Sequence, residues 1–163
     1  MRSLVIVALA LLILVPATAE EWRYEGGATP IAWFDNGAAQ FQFACRGGQL
    51  AMGFWVRAPE ATVASAAAIS LAITPDPAPG SQVTQGSGTS FAQDMPLIHY
   101  EGSSIIVRGP VARQWARIAQ GAQEDLRVAF VRLGSSGLDA FDPQVFGARG
   151  SNARIAQVLN ICG

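Results

Sequence analysis

The chain has 163 residues, a formal net charge of −1, 50% hydrophobic residues and 14% charged residues, which suits one domain with a single core. Arginine supplies all 11 basic residues, so the composition excludes a Schiff-base lysine and a P-loop. The one histidine is too few for a multi-histidine zinc site, and the slight negative charge lacks the basic surface of a nucleic-acid-binding protein. We therefore expect no nucleic-acid partner, no metal and no cofactor.

Residues 1–19 have the features of a bacterial export signal. Arg2 gives a positive start, residues 4–15 are an unbroken apolar run, and an Ala-Thr-Ala triplet of the kind that signal peptidase accepts ends at Ala19. The run is shorter than the ~20 residues of a membrane-spanning helix. We expect cleavage after Ala19, a single exported domain at 20–163 without an integral membrane span, and a periplasmic or secreted location. A buried N-terminal helix is the alternative.

Residues 31–57 predict three consecutive antiparallel strands. In Gln40–Cys45, large apolar side chains alternate with polar or small ones, which is typical of a half-buried strand. A similar alternation predicts a fourth strand at 67–73. The stretch at 75–96 is rich in Pro, Gly, Ser and Thr, and a structureless loop of this length is uncommon. It is a binding loop, a mobile excursion or a place with an unrecognised short strand near 82–84, and we favour the last two together.

The second half of the chain predicts a hairpin, two helices and further strands. The hairpin covers 97–108, and an amphipathic helix follows at Pro110–Gly121, where Pro suits the first helical position. A strand is predicted at 126–133, and 138–146 is irregular or a broken strand because it contains a proline. Ser151 is predicted to cap a last helix. The fold class is therefore α+β: mainly an antiparallel sheet or sandwich, with two helices late in the chain.

The two cysteines predict a disulfide. Cys45 ends a predicted strand and Cys162 follows the last predicted helix. In an exported chain an even number of cysteines most simply forms a disulfide, so we predict that Cys45 and Cys162 bond and tie the last helix to the sheet. A redox or metal pair is the alternative, but neither a Cys-x-x-Cys spacing nor a neighbouring histidine supports it.

Catalytic motifs are sparse. His99 is the one candidate for a general base at neutral pH, with Asp94 and Glu101 close enough in sequence to orient it. A structural histidine, hydrogen-bonded within the fold, is the favoured interpretation. The segment at 134–137 is similar to a nucleophile elbow but lacks its second glycine, so a turn is predicted there.

Trp55, Arg113 and Arg117 are the candidate partner-contact residues. Trp55 points to the side of its strand opposite Phe54 and Val56, so either a second layer covers it or it marks an exposed apolar patch. We favour the covered arrangement. Arg113 and Arg117 lie on the outer face of the predicted helix, where they meet an acidic partner or, as we favour, form a solvated face.

Two segments resemble a known group. They are "AQFQFACRGGQLAMGF" early in the chain and "FGARGSNARIAQVLNIC" at its end. With them the chain resembles small exported bacterial proteins of uncharacterised role and, more distantly, is similar to periplasmic accessory proteins of type VI secretion systems. The matching positions are Phe43, Cys45, Phe146, Gly150, Ile155 and Cys162. The resemblance implies a β-rich envelope domain of a Gram-negative host that acts by interaction, and it carries over no catalytic residue.

The early and late cysteines are also similar to those of small-barrel periplasmic lysozyme inhibitors. Because catalytic motifs are sparse and the predicted scaffold is β-rich and closed by a disulfide, we expect a non-enzymatic periplasmic or secreted binding or accessory domain whose partner is another envelope or secreted protein. One alternative is an inhibitor of a cell-wall lytic enzyme. The other is a hydrolase that uses His99.

Overall fold

The computed structural model of the protein describes residues 20–86 and 88–162. The predicted signal peptide at 1–19 lies outside the described residues. Within those residues, no helix combines the length and the apolar character that crossing a membrane requires. The predicted fold class, a β-rich α+β arrangement closed by a disulfide, is confirmed.

One of the two antiparallel sheets has six strands. They are β1 (Arg23–Glu25), β2 (Ile31–Asp35), β3 (Ala39–Arg46), β4 (Gln49–Val56), β7 (Ile98–His99) and β8 (Ser103–Arg108). Their spatial order is β1-β2-β3-β4-β8-β7. The predicted meander is confirmed as β2, β3 and β4, and the predicted hairpin is confirmed as β7 and β8.

The other sheet has four strands. They are β5 (Ala68–Pro75), β6 (Ser90–Pro96), β9 (Asp125–Gly134) and β10 (Gly137–Gly147). Their spatial order is β10-β9-β5-β6. The predicted strands at 67–73 and 126–133 are confirmed, and they lie side by side in the middle of this sheet.

Three helices complete the fold. They are α1 (Ala61–Ala64), α2 (Pro110–Gly121) and α3 (Ser151–Leu159). α2 packs against β4 and β8, and α3 packs against β2 and β3. The two predicted late helices are confirmed, while the single-turn helix α1 was not predicted because four residues carry no helical periodicity.

The core lies between the two sheets and the two long helices. Phe41 and Phe43 on β3 and Phe54 on β4 are fully buried, as the alternation of their strands predicts. The Phe54 ring lies 5.0 Å from that of Phe130 on the second sheet, and the Phe146 ring lies 5.6 Å from that of Phe41. One face of the six-stranded sheet is therefore occupied by the core.

The disulfide joins Cys45, near the end of β3, to Cys162, three residues beyond α3. The two residues are 117 positions apart in the chain, and both are buried. The predicted pairing is confirmed. Because such bonds persist in oxidising compartments and are rare in the cytosol, the disulfide indicates an oxidising, extracytoplasmic environment.

The segment between β5 and β6 differs from its prediction. Residues 82–84 form no strand, and the strand that the sequence pattern concealed is β6, at Ser90–Pro96. Asp94, with a φ of +48°, interrupts β6 where its register with β5 shifts. This interruption removes the regular alternation by which a strand is recognised.

Two further predictions concern β10 and the start of α3. The broken-strand interpretation of 138–146 is confirmed, since β10 is interrupted by a register shift between Phe141 and Gln144. The prediction that Ser151 caps α3 is wrong: Gly150, with a φ of +80°, is the N-cap, and Ser151 is the first helical residue. A φ in this range favours glycine over residues with a side chain.

The bulge of β10 is attached to the segment before α1. The backbone N–H of Asp142 donates to the Glu60 carboxylate, and the backbone N–H of Glu60 donates to the Asp142 carboxylate, each at 2.9 Å. Burial raises the pKa of Asp142 above its ordinary value, and the negative charge of Glu60 adds to the effect.

Candidate functional site

The outer face of the six-stranded sheet points away from the core. Register places its side chains in three rows across the strands: Gln40, Trp55, Ser104 and Ile98; Trp33, Gln42, Gly53 and Ile106; and Ile31, Ala44, Ala51 and Arg108. The buried core residues of the same strands alternate with these and face the other way. The expectation that a second layer covers Trp55 is wrong, because the second sheet and the long helices pack on the opposite face.

A groove of about 430 Å³ lies at the Trp55 end of this face. Its apolar lining includes Ile98, Tyr100 and Ile106, of which Ile98 is 48% and Tyr100 77% exposed. Large apolar side chains that share one exposed concave surface are typical of contact sites. Trp55 therefore belongs to an apolar groove open to solvent.

The Trp55 side chain is fixed from two directions. Its indole Nε1 donates to the carbonyl oxygen of Glu101 at 3.1 Å, and the Arg57 guanidinium lies 4.6 Å from the ring centroid, within the range of a cation–π contact. Arg57 also forms an ion pair with Asp35. The hydrogen bond from Arg57 is the main reason that the pKa of Asp35 is lowered.

A second groove of about 330 Å³ continues along the same face. It lies between Ile31 on one side and Ile106 and Arg108 on the other, and Arg46 lines its far end. In the part of the chain that the structure describes, the one ion pair is that of Arg57 with Asp35, so Arg46 and Arg108 have no carboxylate within 4.0 Å.

Small residues join the two grooves. Ala44, Ala51 and Gly53 form the floor, and Gly53 lines both grooves. The side chain of Gln42 lies across Gly53, where an added Cβ would be 3.1 Å from its Cγ and Nε2 atoms. We call the continuous depression the outer trough. Trp55 and Tyr100 lie at its apolar end, and Arg46 and Arg108 lie at its arginine end.

A larger cavity, of about 880 Å³, lies on the outside of the four-stranded sheet. One wall is the segment at 77–83, and Arg127, which is buried, donates to the backbone carbonyls of Ser81 and Gln82. Val83 is buried in a small cluster on the same face. This part of the stretch at 75–96, for which a mobile excursion with an unrecognised short strand was the favoured prediction, is therefore attached to the sheet and lines a cavity there.

The outer trough is the better candidate for protein contact. The larger cavity is lined by four acidic residues: Glu60, Glu124, Asp125 and Asp139. Burying carboxylates against a protein partner costs free energy unless each is paired. The outer trough is lined by one acidic residue, Glu101, and otherwise presents mainly aromatic, aliphatic and arginine side chains. Tryptophan, tyrosine and arginine are the residue types that contribute most to the binding energy of interfaces.

His99 is held at both ring nitrogens. Nε2 lies 2.8 Å from the carbonyl oxygen of Ala66, and Nδ1 lies 2.9 Å from the hydroxyl oxygen of Ser103. Since a carbonyl only accepts, Nε2 carries a proton, and in the neutral ring the Ser103 hydroxyl therefore donates to Nδ1. A nucleophile and its base have this order, but Ser103 has 0% exposed surface, so a substrate has no approach to its oxygen. The geometry fits a histidine that links β7 to the connection before β5.

Arg113 and Arg117 lie on α2, on the side of the six-stranded sheet opposite the outer trough. Arg113 donates to the carbonyl oxygen of Cys162 at 3.1 Å, and Arg117 is exposed. Arg113 therefore stabilises the disulfide-bonded end of the chain. A small contact surface that includes Trp55 does not reach either arginine.

No protein-family model, curated protein or solved structure matches this chain. Across 20–86 and 88–162, no group of three or more His, Cys, Asp and Glu side chains is placed to hold a metal ion. The interpretation of the outer trough therefore depends on its own residues.

Sequence reasoning found Trp55 but missed the rest of the outer trough. Ile106 and Arg108 alternate with the buried Ile105 and Val107, so β8 was recognisable as a strand. The pairing of β8 with β4, which places Ile106 opposite Gly53, could not be predicted from the sequence pattern. These strands are separated by the whole of β5 to β7, and local periodicity carries no information on such a pairing.

Proposed function

We propose that the chain is a non-enzymatic binding domain of the bacterial cell envelope that docks another exported protein in the outer trough. The observation that carries the proposal is the open apolar groove around Trp55. Exposed apolar patches on a single domain mark interaction sites. Tryptophan, tyrosine and arginine, which all occur here, are the residues that most often dominate interface energies.

The dimensions of the outer trough suit one segment of polypeptide. β4, which runs along its floor, has 8 residues, or about 27 Å at ~3.4 Å per residue. The strands that carry its side walls, β2 and β8, are three strand spacings apart, or about 14 Å. A single segment of a partner fills this width.

The groove around Trp55 is preorganised for binding. Trp55 is held by the Glu101 carbonyl and the Arg57 guanidinium, so its side chain loses little conformational freedom when a partner covers it. Affinity rises when an interface does not have to be ordered on association. This arrangement supports a contact role for Trp55.

The location forms part of the proposal. Residues 1–19 are a signal peptide that is cleaved after Ala19, and the domain acts in the periplasm or after secretion. The order of the signal features supports this, as does a disulfide between Cys45 and Cys162. The resemblance to type VI secretion accessory proteins favours a component of an envelope assembly as the partner. Inhibition of a cell-wall lytic enzyme is the alternative use of the same trough.

Site-specific photo-crosslinking in living cells tests the proposal. A photoreactive amino acid replaces Ile106, in the outer trough, or Leu133, which is 70% exposed on the other sheet and serves as the matched control. We expect a discrete adduct with an exported protein from position 106 and none from 133. Equal labelling from both positions, or adducts from 106 with nothing but a second copy of this chain, would contradict the proposal. The identity of the adduct distinguishes an envelope component from a lytic enzyme.

A further inference from the structure

We infer that the occupant of the outer trough is an extended, acidic segment of the partner protein. One apolar side chain of this segment enters the groove at Trp55, and its carboxylates meet Arg46 and Arg108. The inference rests on the proposed function for the position of the site. It adds the chemical class and the spacing of the groups that bind there.

The two arginines supply the charge. Arg108 on β8 pairs in register with Ala51 on β4, and Ala51 pairs with Ala44, two residues before Arg46 on β3. Both arginines therefore line the groove above the same small apolar floor, and both are exposed. Guanidinium groups without an acidic neighbour form strong, charge-assisted hydrogen bonds with an incoming carboxylate.

The middle of the trough supplies a neutral donor. Gln42 Oε1 accepts a hydrogen bond from Gln40 Nε2 at 2.7 Å, while Gln42 Nε2 lies over Gly53. Among the described residues that nitrogen has no hydrogen-bond acceptor. From Gln42 to Arg108 the polar side chains therefore offer donors, and they match a ligand rich in carbonyl and carboxylate oxygens.

The spacing selects an extended segment. Trp55 and Ala51, the neighbour of Arg108, are four residues apart on β4, or about 13 Å. An extended ligand covers this distance in about four residues, and side chains at that spacing lie on the same face of a strand. A helix would need about nine residues. We therefore expect the apolar and acidic side chains of the ligand to be about four positions apart.

A glycan is the other class of ligand that binds exposed aromatic side chains. The observations favour it less, because an arginine already occupies one face of each indole on this sheet: Arg57 lies 4.6 Å from the Trp55 ring and Arg23 lies 5.2 Å from the Trp33 ring. A neutral sugar would also leave Arg46 and Arg108 without carboxylates. An acidic polypeptide uses both ends of the outer trough.

NMR titration of the natively purified, ¹⁵N-labelled protein tests the inference. The probe is a Ser/Thr peptide of about nine residues that carries one Leu and two Glu about four positions from it. Matched peptides carry Lys for Glu or Ser for Leu. We expect the Glu peptide to shift the Trp55 indole signal, with weaker binding at high salt. The double variant Arg46→Ala/Arg108→Ala raises Kd roughly tenfold or more, whereas Arg132→Ala, an exposed arginine of the other sheet, changes it by less than about twofold.

A second variant tests the position without changing charge. Gly53 has an ordinary strand φ, and the atoms that an added Cβ would meet belong to the flexible Gln42 side chain. Gly53→Val therefore keeps the fold, as circular dichroism can verify, and raises the floor of the trough. We expect it to abolish the shifts that the Glu peptide causes.

Three results would overturn the inference. They are equal binding of the Lys and Glu peptides, an unchanged Kd in the double arginine variant, and a response of the Trp55 signal to chitotetraose but not to the Glu peptide. The last result would assign the trough to a glycan. The crosslinking experiment tests the proposed function separately. If that function is wrong, position 106 gives no specific crosslink, whatever the charge of the ligand.

Discussion

The Trp55 indole donates its N–H to the carbonyl oxygen of Glu101, 46 positions later in the chain, at 3.1 Å. The turn between β7 and β8 brings this carbonyl over β4, with φ values of +48° at Glu101 and +122° at Gly102. Tyr100, immediately before the turn, lines the same groove. One short turn thus fixes the indole and builds the end wall of the outer trough.

Gly102 is the residue on which this turn depends most. A Cβ at position 102 would lie 2.2 Å from the Val56 carbonyl oxygen and 2.7 Å from Trp55 Nε1. We expect Gly102→Ala to lower the free energy of unfolding by about 3 kcal/mol, from backbone strain and overpacking together, and to shift the tryptophan emission to longer wavelength. Urea denaturation followed by fluorescence measures both.

Gly48→Ala is the matched control for Gly102→Ala. Gly48 also has a positive φ, of +76°, but no atom lies within 4 Å of an added Cβ. This variant is expected to lose about 1 kcal/mol from strain alone. If the two variants lost the same stability, the close contacts of Gly102 with Val56 and Trp55 would have no energetic role.

The disulfide provides a second prediction. Its closed loop spans 117 positions, and in the chain-entropy model a loop of on the order of 100 residues contributes about 4.7 kcal/mol at most. Cys45→Ala/Cys162→Ala is therefore expected to lower the free energy of unfolding by about 3–4 kcal/mol. Urea denaturation of the oxidised protein, the reduced protein and the variant measures this. Equal midpoints for all three would show that the tie between β3 and the end of the chain does not stabilise the fold.

Asp76 predicts a pH dependence of stability. Its carboxylate accepts backbone N–H groups of Gln123, Glu124 and Asp125, and the bond from Glu124, at 2.7 Å, is the main reason that its pKa is lowered. A lowered folded-state pKa means that the stabilisation is present above the unfolded value of 3.8 and is lost as the pH falls through the folded value. Asp76→Asn should cost about 1 kcal/mol at neutral pH, after allowance for solvent screening, and nothing at the acid end.

Asp94→Asn is the control for Asp76→Asn. Asp94 is also exposed with a positive φ, of +48°, but among the described residues its carboxylate accepts no hydrogen bond. Urea midpoints measured from neutral pH down to acid are expected to separate the two variants above pH 3.8 and to converge as the pH falls through the lowered pKa of Asp76. A constant loss for Asp76→Asn across the series would refute the electrostatic explanation.

His99 provides a prediction about stability that also bears on catalysis. Removing its ring leaves the buried Ser103 hydroxyl without its acceptor, so His99→Ala is expected to cost about 1–3 kcal/mol. Gln93→Ala, an exposed change on β6, should be neutral in the same denaturation experiment. An unchanged midpoint for His99→Ala, together with loss of a hydrolytic activity, would support the hydrolase alternative instead.

Much of the fold was accessible from local pattern. The alternation in Gln40–Cys45 predicted which face of β3 is buried, because one face of that strand meets the core and the other meets solvent. The same reasoning placed α2, the predicted amphipathic helix, in which Trp115 is buried and Arg117 is exposed. It failed at β6, where the strand is interrupted at Asp94 and few of its side chains are buried.

The candidate site was less accessible because it is built from long-range pairing. The sequence indicated that Trp55 faces away from Phe54, but not which strand lies beside it. Ile106 and Arg108 line the trough only because β8 pairs with β4. Between these two strands in the chain lie β5 and β6, which belong to the other sheet. The position of Gly53 in the floor of the trough was not predictable either, because it depends on contact with Gln42 from the neighbouring strand.

Titration of the crosslinked partner, once purified, against three forms of the protein tests the central claim most directly. The forms are wild type, Ile106→Glu in the outer trough and Leu133→Glu on the other sheet, compared by isothermal calorimetry. A charge placed in an apolar contact without a partner is strongly unfavourable. We predict that Ile106→Glu weakens binding roughly a hundredfold or more and that Leu133→Glu stays within about twofold of wild type. Wild-type affinity in the Ile106→Glu variant would contradict the assignment of the outer trough as the binding site.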